Sequence, residues 1–499
     1  MLLGLDIGTS SCKTTILNSE TGEIVASARH PLNYLYPDDE RAEIDAEELW
    51  RAILDVMSEI SAKHPKAVAA LKGMSISIVF PTLVPLDAAG RPQQNAILYS
   101  DRREQPQIAE LKQKLGEHGV EDITGNALVS GTSILPGILW LKRNRPEQDR
   151  LTKTYATLAS FVVQRLTGVS GMDPAHASLS AMCPKGREHE WSATLLDAVG
   201  INPEQLPPVH ENLTVAGTLL QSVAERTGMP AGLPVVWSNG DSVSAALAAG
   251  VALPGEVFVA GGSTDCIIFC AARPSGNPLF CNVRHITKGT WATIGSMNAA
   301  GASVKWLCES FLKCPIGDFM SEAAAAPSGS QGLTYLPYLL GERTPVWDPK
   351  ASGVFFGLTL HTGRGEACRA VMEGVACAWR QIIELLQDEF QFRPAQIVSA
   401  GGGSTNHLWN QIKASMLDRP IISLDFNDVS SLGACLAAGL GVGVYDSLQQ
   451  AFDATANLRN PHPVQPVPEW RDALEETYRR YLTLYPTLKP LFQTNGNHA

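Results

Sequence analysis

Charge is scarce in this chain. Only 18% of its 499 residues are Asp, Glu, Lys or Arg, and the basic ones are the minority, 39 against 50, a net of −11. No block of five like charges occurs. A dedicated nucleic-acid binder, which needs a basic stripe, is thereby excluded. With 44% hydrophobic residues, so is a disordered chain. Long apolar runs are missing too. The longest uncharged stretch, 429–445, has 17 residues and four glycines, too short and Gly-rich to span a bilayer. Residues 1–7 carry Asp6 and no Lys or Arg, so they read as a first β-strand and not a secretion signal.

Several chemical signatures are absent. Ten cysteines and eleven histidines are scattered without zinc-ligand spacing. Free thiols in a reducing, cytoplasmic compartment is the economical reading. There is no G-x-S-x-G elbow, which leaves an α/β-hydrolase unsupported. Cys12, and not Gly, precedes Lys13-Thr14, so the first loop is not a Walker A motif. After Gly401 and Gly403 the last place of a G-x-G-x-x-G fingerprint is taken by Asn406.

What is present reads as α/β. Roughly 150 residues per domain allows two large domains or three ordinary ones. Runs 2–7, 13–17 and 23–28 follow one another through tight turns, as in an antiparallel meander. Then 46–63 places Leu49, Ile53, Val56, Met57 and Ile60 at helical spacing behind Asp45, a suitable N-cap. A strand-like run, 73–81, follows. The opening order of strand, small-residue turn and strand recurs at 255–270, which suggests duplication of one α/β unit. The Pro- and Gly-containing stretch 248–255 is the expected boundary, giving domains 1–247 and 248–499. Helices are expected at 367–388 and 472–484.

Five motifs could carry chemistry. In Asp6-Ile7-Gly8-Thr9-Ser10-Ser11-Cys12-Lys13, a turn of small residues lets backbone N–H groups approach phosphate, and Asp6 ends a strand where a carboxylate can serve Mg²⁺. Cys12 is expected to pack. In Ser238-Asn239-Gly240-Asp241-Ser242, the Asp opens an Ala-rich helix. It is either a plain N-cap or a general base whose charge the helix N-terminus favours. Gly401-Gly402-Gly403-Ser404 lies between a strand and a helix, a nucleotide-binding arrangement. The stretch 341–348, with 353–358, is a structured loop packing its aromatics or a substrate contact. Asp101-Arg102-Arg103 is a solvated face, or one Arg meets a polar ligand.

Taken in order, these motifs resemble the FGGY carbohydrate kinase family, over nearly the whole chain. The resemblance implies two actin-like, ribonuclease-H-like domains with a cleft, the sugar deep in the first and ATP mainly against the second. It implies Asp241 as catalytic base and Asp6 as the Mg²⁺-associated carboxylate. Gly8, Thr9, Ser10 and Lys13 belong to the first phosphate loop. Gly262, Ser263 and Thr264 stand where the family reads Gly-Thr-Ser. Gly402 and Gly403 match the adenosine-site glycines, with Asn406 nearby. Phe80, Pro81, Asp101 and Arg102 are the expected sugar-side residues. Phe80-Pro81 occupies the place of a Met-His pair in xylulose kinases, and Pro81 offers no donor, which argues against D-xylulose. Asp265 should point away from phosphate, which it would repel. The implied activity is ATP- and Mg²⁺-dependent phosphorylation of a small sugar or polyol, ketopentose-like, by a cytoplasmic homodimer with no nucleic-acid or membrane partner. Two other classes compete: a nucleotide-binding actin-like protein without sugar kinase activity, and an oxidoreductase using the Gly401 run.

Overall fold

The computed structural model describes residues 1–187, 189–237, 239–425 and 428–494. Ser238, part of the Asp241 motif, lies outside the described residues. The chain forms two compact units, one of Met1–Ala252, Ala272–Ala292 and Asp428–Leu458, the other of Leu253–Ala271, Thr293–Asn427 and Arg459–Ala499. The first crossing falls within the stretch expected as a boundary. Two later segments nevertheless return to the first unit, so its membership is discontinuous in sequence.

The returning helix Val429–Gly441 explains part of this. It is buried from Ser431 to Gly439 and needs a sheet to cover. Small residues let it lie close. A Cβ on Gly4 would stand 2.1 Å from Ser431 O, and one on Gly433 would stand 1.9 Å from Ser244 O. The long uncharged stretch of the sequence is therefore core helix. Among the described residues no helix is long and apolar enough to cross a membrane.

In the first unit the sheet runs Ile24–Pro31, Ser11–Leu17, Leu2–Ile7, Gly73–Ile78, Pro234–Val236, Val215–Thr218. The first three strands are the expected antiparallel meander. Leu2–Ile7 then pairs parallel with Gly73–Ile78. Helix Ala46–Lys63 covers this sheet. Asp45 caps it by accepting from the N–H groups of Glu47 and Glu48. Leu49, Ile53, Val56, Met57 and Ile60 are all 0% exposed, and each such burial contributes about 1.5–3 kcal/mol. The register sets the site. Asp6 lies opposite Ser77 on one side, and on the other Asn239 lies opposite Ser77 and Gly240 opposite Ile78. Asp6 and Asp241 thus emerge at the carboxyl ends of parallel strands, where open α/β sheets bind ligands.

The second unit repeats the opening. The antiparallel hairpin Val257–Gly261 and Asp265–Ala271 pairs parallel with Ile397–Gly401, followed by Ile421–Leu424. Gly261 and Gly401 are register partners, which puts the 262–264 turn and the Gly402-Gly403 run at the same end of the sheet. Helix Arg364–Phe390 buries Val371, Val375, Trp379, Ile382 and Leu386. The C-terminal helix, Arg471–Thr494, runs past the expected end through Pro486 and Pro490.

Candidate active site

Two carboxylates define the site of the first unit. Asp6 is 8% exposed and accepts a 2.9 Å hydrogen bond from Ser77 Oγ. Burial pushes it up to about 6, against the pull of Ser77 and the Lys13 ammonium. Asp241 is the first residue of helix Asp241–Ala248; the N-cap is Gly240. Its Oδ1 accepts from Ser242 N at 2.7 Å. Burial, then the Asp6 charge, push Asp241 up to about 7, while Ser242 N–H and the His176 ring favour its ionised form. A carboxylate whose environment brings it to neutral pH is suited to accept a proton.

Phe80 and His176 close this layer. Phe80 packs on the backbone at Gly240, where a Cβ would meet its ring at 2.2 Å. Its other neighbour is the His176 ring, 5.3 Å away between centroids. His176, on helix Pro174–Ser178, is 2% exposed. Asp173 Oδ2 stands 2.7 Å from its Nδ1. No motif pointed to Asp173 or His176. The Asp at i and His at i+3 bracket a Pro-initiated turn, and that spacing is the one available signal.

The first loop is a tight hairpin. Gly8 N donates to Ser11 O, and Tyr34 OH donates to Gly8 O, both at 3.1 Å. Thr9 and Ser10 are exposed at the tip. Lys13 Nζ is paired with Asp428 Oδ1 at 2.9 Å. Cys12 is buried, and burial raises its thiol far above the ordinary range, so it packs and does not react.

Asp101 and Arg102 are placed differently from each other. Asp101 is 1% exposed, and its carboxylate accepts from Ala42 N, Arg103 N, and Arg103 Nε and Nη2. Arg103 Nη2 also reaches Glu43 Oε1 at 2.6 Å. Arg102 is exposed and contributes its backbone N–H to Glu40 O. The buried partner is thus Arg103: chain reversal at 98–101 turns alternate residues inward, which adjacency in sequence does not tell. Pro81 is buried beside this cluster. In the 341–348 loop, Glu342 is buried and accepts from Asn298 N and Arg343 N, an internal role.

The second unit holds a cavity of about 700 Å³ lined by Gly262, Ser263, Gly402, Gly403 and Asn406, five of the expected nucleotide residues. Thr264 is not among its lining residues. Gly401 has φ 107°, and a Cβ there would stand 2.1 Å from Gly261 O, so glycine is required for the two turns to meet. Asn406 Oδ1 also caps helix His407–Leu417 by accepting from Trp409 N. Cys308, Cys314, Ile316 and Trp409 are among the other wall residues, and no sequence motif marked them. Asp265 turns into the core, as expected. It accepts from Gly262 N at 3.0 Å and Trp379 Nε1 at 2.8 Å. Lys413 is buried nearby, between the Trp379 and Trp409 rings at 4.1 and 4.2 Å. Burial lowers it to about 8, against the pull of Asp265.

Comparison with known proteins bears on the same residues. Residues 1–248 match the model for the FGGY family of carbohydrate kinases, N-terminal domain, and residues 257–442 match the C-terminal domain of that family. A xylulose kinase of Bacillus subtilis (strain 168) is 30% identical over 461 residues, covering 91% of this chain and 90% of that protein. A gluconokinase of the same organism is 25% identical over 500 residues, covering 97% and 94%. The crystal structure of a xylulose kinase from Rhodospirillum rubrum superposes with a TM-score of 0.92 at 29% identity, over 99% of both chains. The fold is the two-domain, actin-like α/β fold of these enzymes. With both domain models matched in order and the paired carboxylates at the sheet end, this chain belongs to the FGGY family of carbohydrate kinases.

Proposed function

We propose that this carbohydrate kinase transfers the γ-phosphoryl group of ATP to a hydroxyl of a ketopentose-like sugar, with Asp241 as general base. The observation that carries the assignment is the position of Asp241: at the end of a parallel strand, first in its helix, beside Asp6, and brought to about 7. The curated relatives named xylulose kinase support the acceptor class. Asp241 takes the hydroxyl proton, the freed oxygen bonds the γ-phosphorus, and the bond to the ADP oxygen breaks. Such transfers have a loose transition state, so catalysis is positioning and charge stabilisation. General-base assistance contributes about 10² to 10⁴-fold.

The glycine loops serve the nucleotide. Gly8 and Gly262 use their own N–H groups inside their turns, which leaves the exposed Thr9, Ser10 and Ser263 to face phosphate, and Gly402 and Gly403 allow close approach at the cavity wall. Magnesium fits Asp6: burial crowds its carboxylate and that of Asp241, and a divalent cation is what would let both stay ionised. Asp6 would hold it together with water and phosphate oxygens, and the cation would neutralise phosphate charge. Pro81 gives the sugar an apolar contact with no donor. We place the reaction in the cytoplasm, and a homodimer is the expected assembly.

The test is coupled ADP release with Mg·ATP across ketopentoses, pentitols, aldonic acids, hexoses and glycerol. Strong stimulation by a ketopentose supports the reading. ATP turnover that no sugar stimulates would instead favour a nucleotide-dependent switch protein. Preference for an aldonic acid would move the acceptor class to that of the gluconokinase relatives.

A further inference from the structure

His176 is a buried imidazole whose side chain is 0% exposed. Its Nδ1 faces Asp173 Oδ2, and among the described residues its Nε2 makes no hydrogen bond. Native proteins rarely leave such a group unmet without a reason. The ring is also held in place. Asp173 Oδ1 accepts from His176 N at 3.1 Å and caps the helix. Its Oδ2, 2.7 Å from Nδ1, favours the ring proton on that nitrogen. In the neutral ring Nε2 is then the lone-pair acceptor. Phe80 fixes the ring's other neighbour, itself seated on Gly240 immediately before Asp241. The imidazole lies within electrostatic reach of the Asp241 carboxylate. Asn239, two residues before Asp241, is 1% exposed, and among the described residues neither of its amide atoms has a hydrogen-bond partner.

We infer that His176 Nε2, oriented by Asp173, accepts a hydrogen bond from a second hydroxyl of the sugar, distinct from the one that Asp241 deprotonates, and so selects polyhydroxy acceptors. The inference rests on the sugar-kinase reading above. A group that accepts a hydrogen bond from one hydroxyl rejects an analogue lacking that hydroxyl, because its own buried nitrogen is then left unmet.

The experiment compares the unsubstituted enzyme with His176→Phe and His176→Gln, using D-xylulose, D-ribulose and D-gluconate and the singly deoxygenated analogues of whichever acceptor is best. In the unsubstituted enzyme one particular deoxygenation raises the sugar KM about tenfold or more. In His176→Phe the parent sugar shows that same rise, the deoxygenation adds nothing further, and the KM for ATP is unchanged. Gln, which keeps an acceptor oxygen, restores part of the loss. Equilibrium sugar binding without ATP follows the same pattern and serves as a readout if turnover is low. An unaltered sugar KM in His176→Phe, or deoxygenation penalties that all persist in it, overturns the role of His176 alone. If Phe does not fold, unaltered discrimination in His176→Gln overturns it equally. Absence of sugar-stimulated turnover in the unsubstituted enzyme overturns the sugar-kinase reading, and this inference with it.

Discussion

Phe80 lies directly on Gly240: a Cβ at position 240 would stand 2.2 Å from Phe80 Cε1 and 2.3 Å from Cζ. The backbone there, φ −58° and ψ 147°, suits any residue, so the constraint is the ring and not the dihedrals. Gly240→Ala should therefore displace Phe80 and cost about 1–3 kcal/mol of stability by overpacking. Because Asp241 follows, the sugar KM should rise while the KM for ATP holds. Unfolding curves and two-substrate kinetics check both.

Asp241→Asn removes the proton acceptor and little else. Turnover should fall by about 10² to 10⁴-fold while sugar binding, measured calorimetrically, survives. Near-normal turnover would remove Asp241 from the mechanism.

The same substitution should stabilise the fold at alkaline pH. The folded Asp241 carboxyl is raised to about 7 from 3.8, so the folded state holds a proton that the unfolded chain has released. Stability from this group is present in acid and lost as pH rises through about 7. Asn carries no such loss. Asp241→Asn should gain on the order of 1–3 kcal/mol at pH 8 over the unsubstituted protein, and the gain should vanish near pH 4. Melting temperatures across that range decide it.

Asp265 supports the nucleotide turn from behind. Asp265→Ala strips the acceptor from Gly262 N and Trp379 Nε1 and leaves the Lys413 ammonium buried without counter-charge. Each buried donor left unmet costs about 1–3 kcal/mol, and the KM for ATP should rise more than that for sugar. Adding Lys413→Met should recover much of the stability, which denaturant titration would reveal.

Arg102 and Arg103 should part company. Arg103→Ala leaves Asp101 and Glu43 without their shared cation and should cost about 3–5 kcal/mol. Arg102→Ala, on an exposed side chain, should fall within about 0.5 kcal/mol. Equal losses would show that the cluster does not support the fold as described.

Local pattern is legible in the sequence wherever periodicity decides structure. The helix behind Asp45 runs over Ala46–Lys63 with its five apolar residues fully buried. The repeated strand, turn and strand appears as an antiparallel hairpin in each unit. Five of the residues that the family resemblance assigned to nucleotide line one cavity, because turns at the ends of neighbouring parallel strands are brought together by the sheet itself.

Other features could not be read along the chain. Which of Arg102 and Arg103 turns inward depends on the path of the turn around Asp101. Helix Val429–Gly441 lies against strand Leu2–Ile7, more than 400 residues away in sequence, through a close contact at Gly4, and against helix Asp241–Ala248 at Gly433. The linear order of residues carries the periods and turn chemistry that make each element, since those act between near neighbours. Packing decided the rest. Burial raises the two carboxylates, and long-range contact sets His176 beside Phe80, because both depend on what the rest of the chain folds over them.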